Sequence, residues 1–156
     1  MLYSHHKISV FIFTVMSILL MACENNTLIH HYKPIPTEGW KKGDTICFHI
    51  DTVRQNNIYA FSVGLRSTAQ YKYSNLWLII ESQFSNPEFS RTDTIECLIN
   101  DRKKENAQNG TFVHNHCYDL PPLNLQEGQT GKIIIKHYMY NDELSGLSDI
   151  GIRISR

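Results

Sequence analysis

Apolar and polar residues alternate along much of the chain after Trp40, which is the pattern of half-buried β-strands. In the segment 58–66, tyrosine, phenylalanine, valine and leucine hold every second position, with alanine, serine, glycine and arginine between them. The same alternation runs through 133–140 and 150–156. Four further strands are predicted at Thr45–Asp51, Leu76–Gln83, Thr92–Ile99 and Thr111–Tyr118.

Turn-forming clusters separate these segments, among them SerAsnPro, AsnAspArg and GlnGluGlyGlnThrGly, and no window carries a long helical stripe of apolar residues. Seven or eight short strands without helices predict an all-β fold. We expect an antiparallel β-sandwich, Ig-like or jelly-roll-like, over residues 41–156. A closed β-barrel is the alternative architecture.

The longest apolar run, Ile8–Ala22, stands near the start of the chain and follows a weakly basic stretch that ends at Lys7. It is shorter than the roughly 20 residues of a membrane-spanning helix, and its layout is that of an export signal. Its end, LeuMetAlaCys, resembles the lipobox of bacterial lipoproteins. We therefore predict a cleaved signal peptide over residues 1–22, with Cys23 carrying diacylglycerol and acyl chains such as palmitate. The alternative is a plain signal peptide, or a buried helix with an incidental cysteine.

The stretch from Cys23 to Trp40 contains two prolines and a glycine and few periodic apolar residues. Proline fixes an extended geometry and cannot donate to a strand ladder, so residues 23–40 are predicted to be mainly a tether. The part Leu28–Tyr32 could instead add an edge strand to the domain.

The length of the chain limits the number of domains, and its net charge bears on whether it binds nucleic acid. A chain of 156 residues supports one ordinary domain. Its 15 basic and 15 acidic residues give a formal net charge of zero, so the chain lacks the basic excess that nucleic-acid binding draws on. Nucleic acid is therefore not an expected partner.

Removal of the signal peptide would leave three cysteines besides Cys23, namely Cys47, Cys97 and Cys117. Three thiols form at most one disulfide bond, with three possible pairings. The alternative is that they are small apolar residues of the core. Outside the cytoplasm a disulfide is permitted but not required.

Catalytic and metal-binding patterns are sparse. The chain has no GxSxG, P-loop, GxGxxG or HExxH motif, and its carboxylates are scattered among strand ends and turns. His114 and His116 would share one face of a strand and could ligate a metal with His49 or Asp51. The favoured interpretation is that they form the polar outer face of a strand. We predict neither a metal nor a cofactor, and no enzymatic activity.

Three blocks of the chain, 58–81, 93–95 and 133–154, carry a resemblance to a known family. The pattern LRxxxxYxYxNLWL at Leu65–Leu78 and the pattern LxGLxDIGIRI at Leu144–Ile154 are its most specific parts. With the lipobox and Trp40, they resemble the gliding motility lipoprotein GldH family of the Bacteroidota.

The resemblance implies a non-enzymatic accessory component of the gliding machinery, which is bound up with the type IX secretion apparatus. It implies a lipid anchor in the outer membrane, a body facing the periplasm, and contacts with other envelope lipoproteins or with motility and secretion proteins. A protein of another class fits the fold as well. The alternative is a surface lipoprotein that binds or processes glycans.

An arginine and three aromatic residues cluster in the first motif: Arg66, Tyr71, Tyr73 and Trp77. Such side chains anchor protein interfaces, so they are candidate interface residues. The competing interpretation, which we favour, is that Trp77 and the tyrosines fill the core of the sandwich. In the second motif, Asp149 and Arg153 could form an internal ion pair along or across the last strand.

Overall fold

A computed structural model of the protein describes residues 26–99 and 113–156. The predicted signal peptide, residues 1–22, and the predicted lipidation site, Cys23, lie outside the described residues. The described strands are β1 (Thr27–Pro34), β2 (Trp40–Lys41), β3 (Ile46–Ile50), β4 (Asn57–Ser67), β5 (Asn75–Ser85), β6 (Phe89–Leu98), β7 (His114–Leu125), β8 (Thr130–His137), β9 (Glu143–Leu144) and β10 (Leu147–Ser155).

The strands form two four-stranded sheets and a small two-stranded one. Sheet A has the order β1-β10-β4-β7 and sheet C the order β3-β8-β5-β6, while β2 pairs with β9. Every pairing is antiparallel. The predicted all-β, antiparallel sandwich is therefore confirmed, and the barrel alternative is wrong because the edge strands of the two sheets do not pair. The described ranges contain no helix long and apolar enough to span a bilayer.

The period-two pattern decides which face of each strand is buried. In β4, Phe61, Val63 and Leu65 face inward, and the isoleucines at alternate positions of β10 lie beside them. Sheet C contributes alternate residues of β5 and β8 to the same core. The largest fully buried side chains are Trp40, Phe48, Phe61, Leu65, Leu76, Leu78, Ile80, Leu123, Leu125, Ile133, Ile135 and Leu144.

The N-terminal segment differs from the prediction. Residues 23–40 are predicted to be mainly a tether, yet 27–34 form β1, the edge strand that pairs with β10 along sheet A. The alternative, an edge strand that includes Leu28–Tyr32, is therefore confirmed. The physical reason lies in its inner face, where Ile29, His31 and Lys33 stand opposite core residues of β10. A strand at the open side of a sandwich buries only part of each side chain, so it lacks a clean apolar alternation.

The folded domain accordingly begins before residue 41. Trp40 is buried, pairs with Leu144 between β2 and β9, and donates its indole N–H to the Asp44 carbonyl oxygen at 3.0 Å. Tryptophan is stable in a core when its single donor has such an acceptor. The predicted boundary at Trp40 therefore falls within the folded domain, at the start of β2.

Strand β7 is longer than predicted, because it continues through Pro121 and Pro122. Proline cannot donate to a ladder, but β7 is an edge strand, where a missing donor costs no pairing. The guanidinium of Arg91 in β6 donates to the carbonyl oxygens of both prolines, at 2.8 and 2.9 Å. The Tyr118 hydroxyl donates across the same gap to the Leu98 carbonyl oxygen at 2.8 Å. These bonds close the side of the sandwich between β6 and β7.

The opposite side is closed by a lysine. Lys33 of β1 donates from Nζ to the Cys47 carbonyl oxygen of β3 at 2.7 Å, and its ammonium lies 5.5 Å from the centre of the Phe48 ring. The aliphatic part of a lysine covers apolar surface while its charged head finds polar partners. Long polar side chains thus bridge the two sheets at both flanks.

A tyrosine ring lies over two glycines on the outer face of sheet A. Tyr32 of β1 stands opposite Gly151, which in turn stands opposite Gly64. A Cβ atom on Gly151 would come within 2.6 Å of Tyr32 Cγ, and one on Gly64 would overlap the tyrosine hydroxyl. An aromatic ring that covers strand glycines restores the contacts that they lack. Both glycines are required here by the close approach of Tyr32.

Gly151→Ala is expected to lower the free energy of unfolding by about 1–3 kcal/mol, because the added methyl group overpacks against Tyr32. Urea unfolding of the full-length protein measures the change. In a Tyr32→Ala background the same substitution should cost much less, since the obstacle is gone. Equal costs in the two backgrounds would contradict the proposed contact.

Candidate functional site

The four candidate interface residues occupy different environments. Arg66 lies on the outer face of sheet A, Tyr71 and Tyr73 in the loop between β4 and β5, and Trp77 on the outer face of sheet C. The structure therefore does not bring them together as one surface. Their role in an interface stays a prediction. Each of them also makes contacts within the domain.

Arg66 joins strands of sheet A. Its guanidinium carbon lies 4.3 Å from the centre of the Tyr32 ring, which is close enough for a cation–π contact. Nη1 lies 3.8 Å from Asp149 Oδ2, and Nε donates to Asn115 Oδ1 at 3.1 Å. With its side chain 40% exposed, the arginine binds to three neighbouring strands while remaining open to solvent.

The predicted ion pair between Asp149 and Arg153 is wrong, because Asp149 pairs with Arg66. Residues four apart on one strand are separated by about 13 Å at roughly 3.3 Å per residue. Arg66 stands directly opposite Asp149 in the register of β4 and β10. The cross-strand neighbour is therefore the nearer cation.

Tyr71 is a core residue, as the favoured interpretation had it. Its hydroxyl donates to the Asn75 carbonyl oxygen at 2.8 Å, and its ring meets Tyr73 edge to face at 5.5 Å. Burial raises the pKa of Tyr71, with a further contribution from Tyr73. Tyr73 is half-buried against the same core.

Trp77 is not a core residue, so the favoured interpretation is wrong at this position. Leu76 and Leu78 face inward, and the alternation of β5 turns Trp77 outward, where 37% of it is exposed. The sequence LeuTrpLeuIleIle is apolar in both phases of the alternation. For that reason the pattern alone did not determine which phase is buried.

His114 and His116 share one face of β7, as predicted, but that face is the inner one. His116 stands opposite the buried Leu65, bonds through Nε2 to Ser67 Oγ at 3.1 Å, and stacks on Tyr118. Burial lowers the pKa of His116, and His114 lowers it further. The interpretation of these histidines as a polar outer face is therefore wrong.

His49 and Asp51 do not complete a metal site with those histidines. They lie on and after β3, in the other sheet, and residues 26–99 and 113–156 hold no group of three or more histidine, cysteine, aspartate or glutamate side chains that could bind a metal ion. His49 instead lines a cavity of about 690 Å³ beside Phe84, Gly131 and Lys132.

The three cysteines outside the signal region have free thiols in the structure. Cys97 is buried in β6, and burial raises the pKa of its thiol to about 12. It fits the interpretation of a small core residue. Cys47 is half-buried and Cys117 is exposed on the outer face of β7.

Sequence reasoning gave no role to His137, which the structure buries in the core. His137 shares its face of β8 with Ile133 and Ile135, which are fully buried, and this alternation is the signal that could have placed it in the core. Its ring meets the ring of Trp40 edge to face at 5.5 Å. Burial lowers the pKa of His137, so the neutral imidazole is the form that fits the core.

The two sequence motifs pack against each other at one end of the sandwich. Besides the Arg66–Asp149 pair, the Thr68 N–H donates to the Gly146 carbonyl oxygen at 2.8 Å. Gly146 has a φ of +84°, and a Cβ there would overlap the backbone of Tyr71. The most specific residues of the two motifs therefore hold the loop before β5 against the start of β10.

A family model described as GldH lipoprotein matches residues 27–154, which run from the start of β1 almost to the end of β10. The chain belongs to the GldH lipoprotein family. It is 27% identical over 160 residues to a gliding motility lipoprotein GldH homolog from Christiangramia forsetii, with 95% of each chain covered. It is 23% identical over 158 residues to the gliding motility lipoprotein GldH of Flavobacterium johnsoniae, with 93% of this chain and 94% of the relative covered.

GldH family membership confirms the predicted resemblance, and the matched range shows that the family unit is the entire described sandwich, including β1. The predicted motifs at Leu65–Leu78 and Leu144–Ile154 both fall within it. In this chain they serve packing through Arg66, Gly146 and Asp149.

His137 makes stability depend on pH in a predictable direction. Its pKa is lowered in the folded state, so the unfolded chain takes up a proton first as the pH falls below about 6.5. The free energy of unfolding should therefore fall from pH 7 toward pH 5. His137→Leu should flatten this fall by up to about 1.4 kcal/mol per pH unit.

Urea unfolding at a series of pH values measures this slope. His49→Leu, at an exposed position of β3, is the control for removing a histidine from the surface. An unchanged slope in His137→Leu would show that the core does not exclude the charged imidazole.

Proposed function

We propose that the protein is a lipid-anchored component of the cell envelope that acts in gliding motility without catalysing a reaction. The observation that carries the proposal is the GldH lipoprotein match over residues 27–154, the whole described sandwich. The names of the two relatives support the same assignment. In this proposal the protein works beside the type IX secretion machinery and other envelope proteins.

In this proposal Cys23 carries the lipid anchor, and the β-sandwich follows it closely in the chain. β1 begins at Thr27, four positions after the cysteine, so the link spans at most about 14 Å at roughly 3.5 Å per residue. We place the anchor in the outer membrane and the sandwich on its periplasmic face. Several acyl chains on one residue would give a durable hold, since each buried CH₂ contributes about 0.8 kcal/mol.

A non-enzymatic role is supported by what the motif residues do. Arg66 and Asp149 pair with each other, Tyr71 packs in the core, and Gly146 allows two loops to approach. These contacts hold the loop before β5 against the start of β10, and they stabilise the fold. The glycan-binding alternative calls for aromatic side chains along a groove, whereas Trp77 lies on the outer face of sheet C and lines none of the cavities described.

Cys23→Ala is expected to abolish labelling of the protein by a fatty-acid probe and to leave an unprocessed or mislocalised precursor. Because the proposal makes function depend on the anchor, spreading of the source bacterium on agar should fall as it does when the chain is deleted. Undiminished labelling in the Cys23→Ala variant would contradict lipidation at this position.

His116→Gln is expected to leave spreading intact at normal protein abundance, because His116 serves the fold through Ser67 and not a reaction. Immunoblotting gives the abundance, and the agar assay gives the function. Complete loss of spreading at normal abundance, anchoring and partner binding would instead indicate catalysis at this histidine.

A further inference from the structure

An exposed apolar surface lies on the outer face of sheet C, near one end of the sandwich. Trp77 is at its centre. Tyr138 stands beside it, with its backbone N–H donating to the Trp77 carbonyl oxygen at 2.8 Å, and Leu98 lies diagonally across on β6. Ile79 follows on the same face of β5. We call these four residues, Trp77, Ile79, Leu98 and Tyr138, the aromatic patch.

The exposure of the patch is large for side chains of this kind. Tyr138 is 64% exposed, Leu98 63% and Trp77 37%. The backbone beneath them is fixed by the β5 ladder and by a bond from the Trp77 N–H to Met139 Sδ at 3.4 Å. A rigid apolar centre of this composition is typical of binding surfaces.

Polar side chains border the patch. Lys136 pairs with Glu81 at 3.0 Å, so these two charges neutralise each other. Glu96 stands opposite Trp77 and accepts a bond from the Asn75 amide at 2.6 Å. Within the part of the chain that the structure describes, Glu96 thus has an amide and not a cation as its partner. Of these three border charges, Glu96 is the one left without an oppositely charged partner among the described residues.

Strand addition is not how this domain would bind a partner, since each sheet edge carries a feature that hinders pairing. β1 has the inward-pointing Lys33 and ends at Pro34, β3 has only five residues, and β7 contains two prolines. At β6, the Leu98 carbonyl oxygen is taken by Tyr118. Such features prevent edge-to-edge pairing. We therefore expect a partner protein to bind to side chains on the outer face of a sheet and not to a sheet edge.

The patch lies toward the end of the sandwich opposite to the anchor. Because neighbouring strands are antiparallel, Thr27 and the β5–β6 hairpin lie at one end, and the start of β5 at the other. Ser85 lies eight positions after Trp77 along β5, which corresponds to about 26 Å at roughly 3.3 Å per residue. The carboxylate of Glu96 also disfavours contact with an anionic lipid surface.

We propose that the aromatic patch docks a second protein of the envelope, different in sequence, at a distance from the membrane that holds Cys23. Its contact surface carries aliphatic and aromatic side chains that cover Trp77, Leu98 and Tyr138, and a lysine or arginine that meets Glu96. The inference rests on the proposed function, because it takes the anchor at Cys23 as given.

The test uses the full-length lipoprotein in cells of the source bacterium. A photo-crosslinking benzoylphenylalanine replaces Tyr138 in one strain and Ile58 in the other; Ile58 is also 64% exposed but starts β4 at the end near the anchor. We expect a protein adduct of one discrete mass from position 138 and none from 58. Sequencing of the crosslinked peptide should find apolar residues and a lysine or arginine.

A charged residue introduced into the aromatic patch should prevent binding of the partner protein. With the crosslinker at 138, Leu98→Asp should reduce the adduct at least tenfold and abolish spreading on agar at normal abundance. Ile58→Asp, a substitution of the same kind at an equally exposed aliphatic residue, should do neither. Glu96→Lys should weaken the adduct, because it reverses the charge that the partner meets.

Four outcomes would overturn the inference: adducts with lipid only, adducts with a second copy only, adducts with polysaccharide only, or full spreading with Leu98→Asp where deletion of the chain abolishes spreading. Deletion of the chain is tested in parallel. If deletion leaves spreading intact while the 138 adduct forms and Leu98→Asp removes it, the proposed function fails and the docking surface stands.

Discussion

Burial of one face of each four-stranded sheet against the other is the constraint on which the structure depends. Side chains point alternately to the two faces of a strand, so a shift of one residue would move the entire inward set to the solvent. The inward phases of β4, β5, β8 and β10 are rich in leucine, isoleucine and valine. This requirement fixes the register, and the register places Arg66 opposite Asp149 and Tyr138 beside Trp77.

Two stacked sheets leave the core exposed at the two sides where their edge strands face each other. In this chain long polar side chains cover both sides. Arg91 and Tyr118 reach across from β6 to β7 and from β7 to β6, and Lys33 reaches from β1 to β3. Each uses its apolar part as cover and its polar tip as a hydrogen-bond donor to a strand carbonyl. The strand carbonyl oxygens that accept these bonds are then occupied and do not pair with a strand of another protein. The same side chains therefore close the core and protect the sheet edges.

The sequence predicted the strands that have a clean alternation, β4, β8 and β10, because their buried and exposed phases differ in polarity. It failed where that difference is absent. β1 carries His31 and Lys33 on its inner face, so it resembled a tether. Trp77 lies among residues apolar in both phases, and His116 faces inward only because the edge of the sandwich provides Ser67 and Tyr118 as polar and aromatic neighbours. Cross-strand partners such as Arg66 and Asp149 follow from register, which alternation alone does not supply.

The pairing of β1 with β10 joins the beginning of the domain to its end. The ribosome synthesises Thr27 long before Ser155, so β1 cannot pair until β10, the last strand of the described domain, has been made. Contacts between such distant segments form slowly, because a long loop must close first. A chain interrupted before β10 would leave both β1 and β4 without the strand that separates them. Synthesis through β10 is therefore required before β1, the first strand of the domain, can be ordered in sheet A.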